Sequence, residues 1–218
     1  MTPLQATSSP HTAGQALLPP ARSILGTGGT PTAEGIVVND VHSRLNETRV
    51  QRVAFPDSID AMQSLIRQAR TDGQPVSIAG GRHAMGGQQF GAGAVLLDMA
   101  AMDRVRRFDP DRGHIEVEAG ICWPELLAYL GRAQQGCWPQ WGIRQKQTGA
   151  DRLSLGGALA ANAHGRGLRF KPMIADVEAF TLVDADGCVR TCNRTRNSEL
   201  FKLAIGGYGL FGAIATVT

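Results

Sequence analysis

The sequence lacks any run of apolar residues long enough to cross a membrane. A membrane-spanning helix needs about 18 to 20 consecutive apolar residues, and no window of the 218 residues reaches that length. The chain also lacks a strong charge of either sign: its formal net charge is +3, and its arginines stand singly or in pairs. Nucleic-acid partners call for basic clusters, so we expect neither a nucleic-acid partner nor a membrane span.

Cysteine is scarce, and its four positions follow no known pattern. Cys122, Cys137, Cys188 and Cys192 form no CxxC pair and show no spacing typical of a metal site. The sequence before them shows no signal-peptide pattern. We therefore predict reduced thiols in a cytoplasmic protein, without a metal site.

Acidic residues are missing from the first part of the chain. None precedes Glu34, and residues 1–36 are rich in Pro, Gly, Thr, Ala and Ser. This biased composition indicates a flexible tail over residues 1–36. The whole chain is 43% hydrophobic and 19% charged, which is ordinary for a globular protein. The folded part is therefore expected at residues 37–218.

The folded part predicts an α+β architecture. Ser58 can cap a helix that runs to about Arg70 between two short strands at 52–55 and 75–79, which together make a β-α-β unit. Later turns and alternating residues predict two hairpins and a final strand, at residues 105–118, 176–192 and 213–217. These patterns indicate two lobes, the first at about 48–104 and the second at about 105–218.

Glycine, by contrast, is abundant, with 27 positions. Four of them lie with His83 in the loop that interrupts residues 76–90 after a buried strand. Glycines allow positive φ and a close approach of backbone N–H groups to an anion, and successive N–H groups form a concave site that suits a pyrophosphate. A histidine in such a loop can reach whatever group the phosphates carry.

Two further glycine-rich segments follow. In residues 153–165 a Gly-Gly pair opens a helix that Ser154 can cap, or from which Ser154 can donate to a phosphate. Residues 206–214 contain a GxGxxG pattern at 207–212. A dinucleotide-binding Rossmann site needs a strand before this pattern and a helix after it. Here a strand is predicted to follow, so the sequence argues against an NAD site.

In this order the three segments resemble the FAD-linked oxidoreductases of the vanillyl-alcohol oxidase / p-cresol methylhydroxylase superfamily. The resemblance covers roughly residues 38–218, and the Gly-x-x-His spacing most resembles the branch of sugar-lactone oxidases, alditol oxidases and cytokinin dehydrogenases. It implies a PCMH-type FAD-binding domain of two lobes: a small β-α-β lobe and a larger, mostly antiparallel sheet with helices. FAD would lie between the lobes.

The resemblance also implies which residues bind FAD. In many members the histidine of the first segment is bonded covalently to the isoalloxazine, so a link through His83 is expected. Members with a second link carry a cysteine that residues 148–153 lack, so a single link is expected here. The positions that match cofactor-binding residues are Ala79, Gly80, Gly81, Arg82, His83, Ala84, Gly87, Gln88, Asp151, Ser154, Gly156, Gly157, Asn162, His164, Gly165 and Ile214.

Plainer interpretations stay open for several of these side chains. His83 could be a loop histidine that bonds the backbone, and Gln88 could be an exposed loop residue. His164 could bond the last carbonyl groups of the helix that starts near Ser154. His42, outside the three segments, is more typical of a turn than of a catalyst.

The activity implied by the resemblance is oxidation of a CH–OH group in a sugar, alditol or lactone-like substrate, with hydride transfer to the flavin. The alternatives are oxidation of a CH–NH group, or a truncated module that binds FAD without turnover. No catalytic base can be assigned. Family members carry a C-terminal domain over the flavin, which we expect to be absent here or supplied by a second chain. Ala100 matches a gate for oxygen, and a methyl group there favours another electron acceptor.

Overall fold

The computed structural model describes residues 35–147 and 149–218. The predicted tail therefore lies outside the described residues as far as position 34, and Ile36 already belongs to a strand. The strands are β1 Ile36–Val38, β2 Thr48–Val50, β3 Arg52–Ala54, β4 Val76–Ala79, β5 Val95–Asp98, β6 Val105–Asp109, β7 His114–Glu118, β8 Ala179–Val183, β9 Val189–Asn193 and β10 Ala213–Val217. The helices are α1 Ile59–Thr71, α2 Trp123–Ala133, α3 Leu155–Ala160 and α4 Ser198–Ala204, with 3-10 turns at Met99–Ala101 and Met173–Asp176.

The first lobe is built on a parallel three-stranded sheet in the order β3-β5-β4. The predicted β-α-β unit is present as β3, α1 and β4, with β5 inserted between the two strands. The Ser58 hydroxyl accepts a hydrogen bond from the Ala61 N–H at 3.2 Å, which caps α1 as predicted. The antiparallel pair β1–β2 was not predicted from the sequence.

The second lobe is an antiparallel sheet in the order β6-β7-β10-β8-β9. The hairpin between β8 and β9 turns on Asp184, whose side chain accepts from the Cys188 N–H at 2.8 Å, and on Gly187 at φ 70°. The strand expected from Asp176 instead begins at Ala179, because residues 173–176 form a 3-10 turn. The α+β fold with one parallel and one antiparallel sheet is confirmed.

The two lobes are joined by a shared core and by buried charge. Met62 and Ile66 of α1 pack in one cluster with Ala213 and Ala215 of β10. Across the same junction, the fully buried Glu118 binds the Arg104 guanidinium at 3.0 Å, and Arg104 also donates to the Asp57 carbonyl. No helix among the described residues has both the length and the apolar character needed to cross a membrane.

Candidate functional site

A cavity of about 360 Å³ lies between the two lobes, and we call it the interlobe cleft. The loop after β4 forms its wall on the first lobe. Helix α3 and the turn before β10 form its wall on the second lobe. This volume falls within the range of small-molecule sites, about 300–1,000 Å³.

Two glycines let the walls of the cleft approach each other. A Cβ added at Gly80 would lie 1.9 Å from the Ser154 hydroxyl oxygen, and one at Gly81 would lie 2.3 Å from the Arg152 carbonyl oxygen. Neither distance is possible for a real side chain. These glycines are therefore required for packing between two protein segments, a reason that the sequence alone did not indicate.

The glycine loop also carries free hydrogen-bond donors. Within the part of the chain that the structure describes, the backbone N–H groups of residues 81–84 make no hydrogen bond. At the start of α3 the situation is the reverse. The N–H groups of Leu155 and Gly156 bind carbonyl groups of the loop before α2 at 2.8 Å each, and Gly157 N–H binds the Ser154 hydroxyl at 3.3 Å. The donors available to an anion therefore lie in the loop, and not at the helix that the sequence indicated.

Arg82 holds an unusual backbone conformation in this loop. Its φ of 55° lies in the left-handed region, which costs a non-glycine residue about 1 kcal/mol or more. Its guanidinium binds the Asp98 carboxylate at 2.6 Å, and the other carboxylate oxygen accepts from the Ala100 N–H. Both ionic side chains are largely removed from solvent. This pair holds the Arg82 guanidinium in the cleft wall, where Asp98 balances its charge.

His83 contacts a second histidine that is distant in sequence. Its Nδ1 lies 2.6 Å from Nε2 of His42, and the ring centroids are 4.7 Å apart. Burial lowers the pKa of His83 below 6.5, and the charge of His42 lowers it further, whereas a hydrogen bond to the Arg152 backbone opposes the shift. Burial and the neighbouring His42 therefore favour the neutral form of His83.

The segment that carries His42 is held in place by one carboxylate. Asp40 accepts hydrogen bonds from the N–H groups of His42 and Ser43 at 2.8 and 2.6 Å. Desolvation raises the pKa of Asp40, but the hydrogen bond from the Ser43 hydroxyl and the backbone bonds together hold it below its usual value. The turn role predicted for His42 agrees with its backbone. Its side-chain contact with His83 was missed, because 41 residues separate the two and no local pattern joins them.

Comparison with known proteins identifies the family of this chain. Residues 50–193 match a protein family described as "FAD binding domain". The chain belongs to this family. It is 28% identical over 164 residues to L-gulonolactone oxidase from Mus musculus. The matched region covers 75% of the chain and 35% of that protein. It is 28% identical over 167 residues to cytokinin dehydrogenase 3 from Oryza sativa subsp. japonica, covering 73% of the chain and 30% of that protein.

A third relative is an uncharacterized oxidoreductase of the fasciation locus of Rhodococcoides fascians, 30% identical over 166 residues, covering 76% of the chain and 36% of that protein. The chain thus spans about a third of the length of these relatives. The prediction of a PCMH-type FAD-binding domain in the branch of lactone oxidases and cytokinin dehydrogenases is confirmed. The assignment to FAD-dependent oxidoreductases is confirmed at the level of the family.

The residues of the cleft fit FAD. Four free N–H groups in succession suit a diphosphate, and the third of these four residues, His83, carries an imidazole. The GxGxxG pattern at 207–212 lies in turns between α4 and β10. This order is the opposite of a dinucleotide-binding Rossmann unit, so the argument against an NAD site holds. Among the described residues, no group of three or more His, Cys, Asp or Glu side chains could hold a metal ion.

Ten of the sixteen predicted FAD-binding positions line the interlobe cleft. They are Gly80, Gly81, Arg82, His83, Ala84, Gln88, Ser154, Gly156, Gly157 and Ile214. Their roles toward FAD stay predictions.

The other six positions lie outside the cleft lining. Ala79 is buried at the end of β4, and Gly87 packs against Asn46. Asp151 is exposed and pairs with Lys146. The remaining three, found beyond α3, are Asn162, His164 and Gly165.

Of these three, Asn162 and His164 make local bonds. The Asn162 side chain accepts from the Ile174 N–H at 3.4 Å. The helix-cap interpretation of His164 is wrong, because its Nδ1 lies 2.9 Å from the carbonyl of the next residue, Gly165, and not near a carbonyl of α3.

Several cleft residues were missed. Four alanines at 158, 160, 161 and 163 line it from α3 and its C-terminal end, where small side chains leave room for a ring system. Met99 lines the cleft, whereas the neighbouring Ala100, the predicted oxygen gate, does not. Gln89 lines it as well. A stripe of small residues after the Gly-Gly pair was the one signal that could have indicated the alanines.

Proposed function

We propose that this chain binds FAD in the interlobe cleft, with the diphosphate on the N–H groups of residues 81–84 and the isoalloxazine beside His83. The observation that carries this proposal is the run of four N–H groups without a partner among the described residues. When bound, FAD supplies an acceptor for a hydride, a reaction that side chains alone do not perform. Purified protein should show flavin absorbance or take up added FAD. A protein that does neither would contradict the proposal.

We further propose that FAD is attached covalently through His83. Because Nδ1 faces His42, the hydrogen bond to the Arg152 backbone uses Nε2 as its donor. The lone pair of the neutral ring then lies on Nδ1, where it accepts from the Nε2–H of His42, and Nδ1 is the atom that we propose for the link. The link would join Nδ1 to a methyl carbon on the isoalloxazine in place of one C–H bond. The proton of that bond would pass to solvent, and its two electrons would reduce the flavin, which an electron acceptor such as dioxygen would reoxidise.

Attachment can be tested on a denaturing gel after acid precipitation. Flavin fluorescence should stay with the parent band and be absent from the His83→Ala band. His164→Ala is the matched control, since His164 is exposed and lies outside the cleft lining. A fluorescent band in His83→Ala would place the link at another residue, and a dark parent band would exclude a covalent link.

For the whole protein we propose oxidation of a CH–OH group in a sugar, alditol or lactone-like substrate. The support is the lactone oxidase among its relatives. The titratable side chains in the described cleft lining are those of Arg82, His83 and Tyr208, and none is a carboxylate. We therefore infer that a catalytic base comes from outside this lining, either from this polypeptide or from a second chain.

Two alternatives have distinct outcomes in one experiment. Lactones, alditols and amines are added in turn to the flavin-loaded protein without oxygen, and the flavin absorbance is followed. Bleaching by an alditol or lactone supports CH–OH oxidation, and bleaching by an amine alone supports CH–NH oxidation. No bleaching by any of them favours a binding module without turnover. A cytoplasmic location stays a prediction, supported by the four cysteines, which form no disulfide among the described residues.

A further inference from the structure

Gln89 is the most unusual polar side chain in the wall of the interlobe cleft. Both its amide nitrogen and its amide oxygen are buried, and neither has a hydrogen-bond partner among the described residues. Within the described part of the chain, it is the one side chain with two such atoms. The neighbouring Gln88 is exposed.

A buried carboxamide without partners destabilises a folded protein. It has lost the hydrogen bonds to water that it makes in the unfolded chain and has gained none in return. Such groups are rare in native proteins, and each one calls for an explanation such as a functional role. The position of Gln89 in a ligand-sized cleft provides one, because a ligand can supply the missing donor and acceptor.

We propose that the Gln89 carboxamide recognises the polar edge of a heterocyclic ring of FAD. This inference rests on the proposed binding of FAD in the cleft. A carboxamide presents a donor and an acceptor side by side, and such a pair matches a ring edge that carries an acceptor next to an N–H. FAD has two such edges, the pyrimidine edge of the isoalloxazine and the amino edge of adenine.

A ligand-binding role and a structural role predict opposite effects of the same substitution. Gln89→Met keeps the length of the side chain and removes both unpaired groups. The FAD-free protein should therefore melt at a higher temperature, whereas its affinity for FAD should fall about ten-fold or more. A purely structural glutamine would lower the melting temperature when replaced. Gln135→Met is the matched control, because Gln135 is exposed and lies outside the cleft lining, and it should change neither quantity.

The experiment uses His83→Ala as the common background, so that binding is reversible and can be titrated by flavin fluorescence. Riboflavin and ADP are titrated separately: a loss of affinity for riboflavin alone assigns Gln89 to the isoalloxazine, and a loss for ADP alone assigns it to adenine. Gln89→Leu is the second variant. Equal FAD affinity in parent and both variants overturns the inference and leaves the proposed function intact. A parent that binds no FAD overturns both, and a lower melting temperature in both variants overturns the argument from unpaired groups.

Discussion

Replacing Gly80 with alanine tests whether close contact between the lobes depends on this glycine. The added methyl group would lie 1.9 Å from the Ser154 hydroxyl oxygen and 2.8 Å from its Cβ. Gly80 does not have a positive φ, so alanine can adopt its backbone conformation. Any loss of stability therefore comes from the steric conflict and not from the backbone.

The expected loss has two parts. Overpacking a close contact costs about 1–3 kcal/mol. Rotation of Ser154 away from the methyl group also breaks its cap bond to Gly157 N–H, which is worth about 1 kcal/mol. The sum is about 2–4 kcal/mol, which corresponds to a fall in melting temperature of roughly 5–15 °C for a chain of this size.

Thermal and urea unfolding of the FAD-free protein measure this loss. Gly131→Ala is the control, because no atom lies within 4 Å of its added Cβ and the residue is within α2. That variant should gain about 0.5–1 kcal/mol. Adding Ser154→Gly to Gly80→Ala should recover part of the loss, since it removes both clashing atoms. If Gly80→Ala unfolds like the parent, the lobes do not meet as described.

Three further outcomes follow from charged groups at the cleft. His42→Ala should move the pKa of His83 upward toward 6.5 without reaching it, because burial is the larger cause of the lowered value, and NMR titration of the His83 ring measures this. Since the pKa of His83 is lower in the folded than in the unfolded chain, the unfolded state binds more protons. The free energy of unfolding should therefore fall as the pH drops below 6.5 and should be insensitive to this group at higher pH. His83→Gln should remove that slope in urea unfolding. Asp98→Asn should cost about 3 kcal/mol by leaving Arg82 without its partner, whereas Asp186→Asn, at an exposed pair, should cost below about 1 kcal/mol; equal losses in the two variants would contradict this difference.

Local patterns were sufficient to predict the elements that rest on neighbouring residues. The cap of α1 by Ser58 and the turn of the β8–β9 hairpin at Gly187 each depend on residues within four positions, so the sequence displays them directly. The fold class followed from these elements. The β1–β2 pair did not, because its stability comes from burial of Val38 and Val50 in a cluster assembled from distant strands.

The candidate site could be predicted only where one loop forms it. The glycine loop carries its own pattern, and residues 80–84 all line the cleft. His42 and Gln89 were not recognised as site residues, because their place depends on the path of the chain. Resemblance to the family favoured Gln88, which lines the cleft with an exposed side chain, whereas the neighbouring Gln89 lines it with a buried amide. Whether an amide is buried without a partner is a property of the assembled structure alone.

The glycine loop links packing to chemistry through Gly81. The absence of a side chain there lets the Arg152 carbonyl reach the loop, since a Cβ would lie 2.3 Å from its oxygen. That same backbone group binds His83 and opposes the lowering of its pKa. The bond places the ring proton on Nε2 and leaves the lone pair on Nδ1. A residue required for packing between the lobes would thereby determine which nitrogen of His83 forms the proposed link to FAD. Two requirements therefore explain the pattern Gly-Gly-x-His without reference to a phosphate. Gly81 must leave room for the Arg152 carbonyl, and that carbonyl must accept the ring proton of His83.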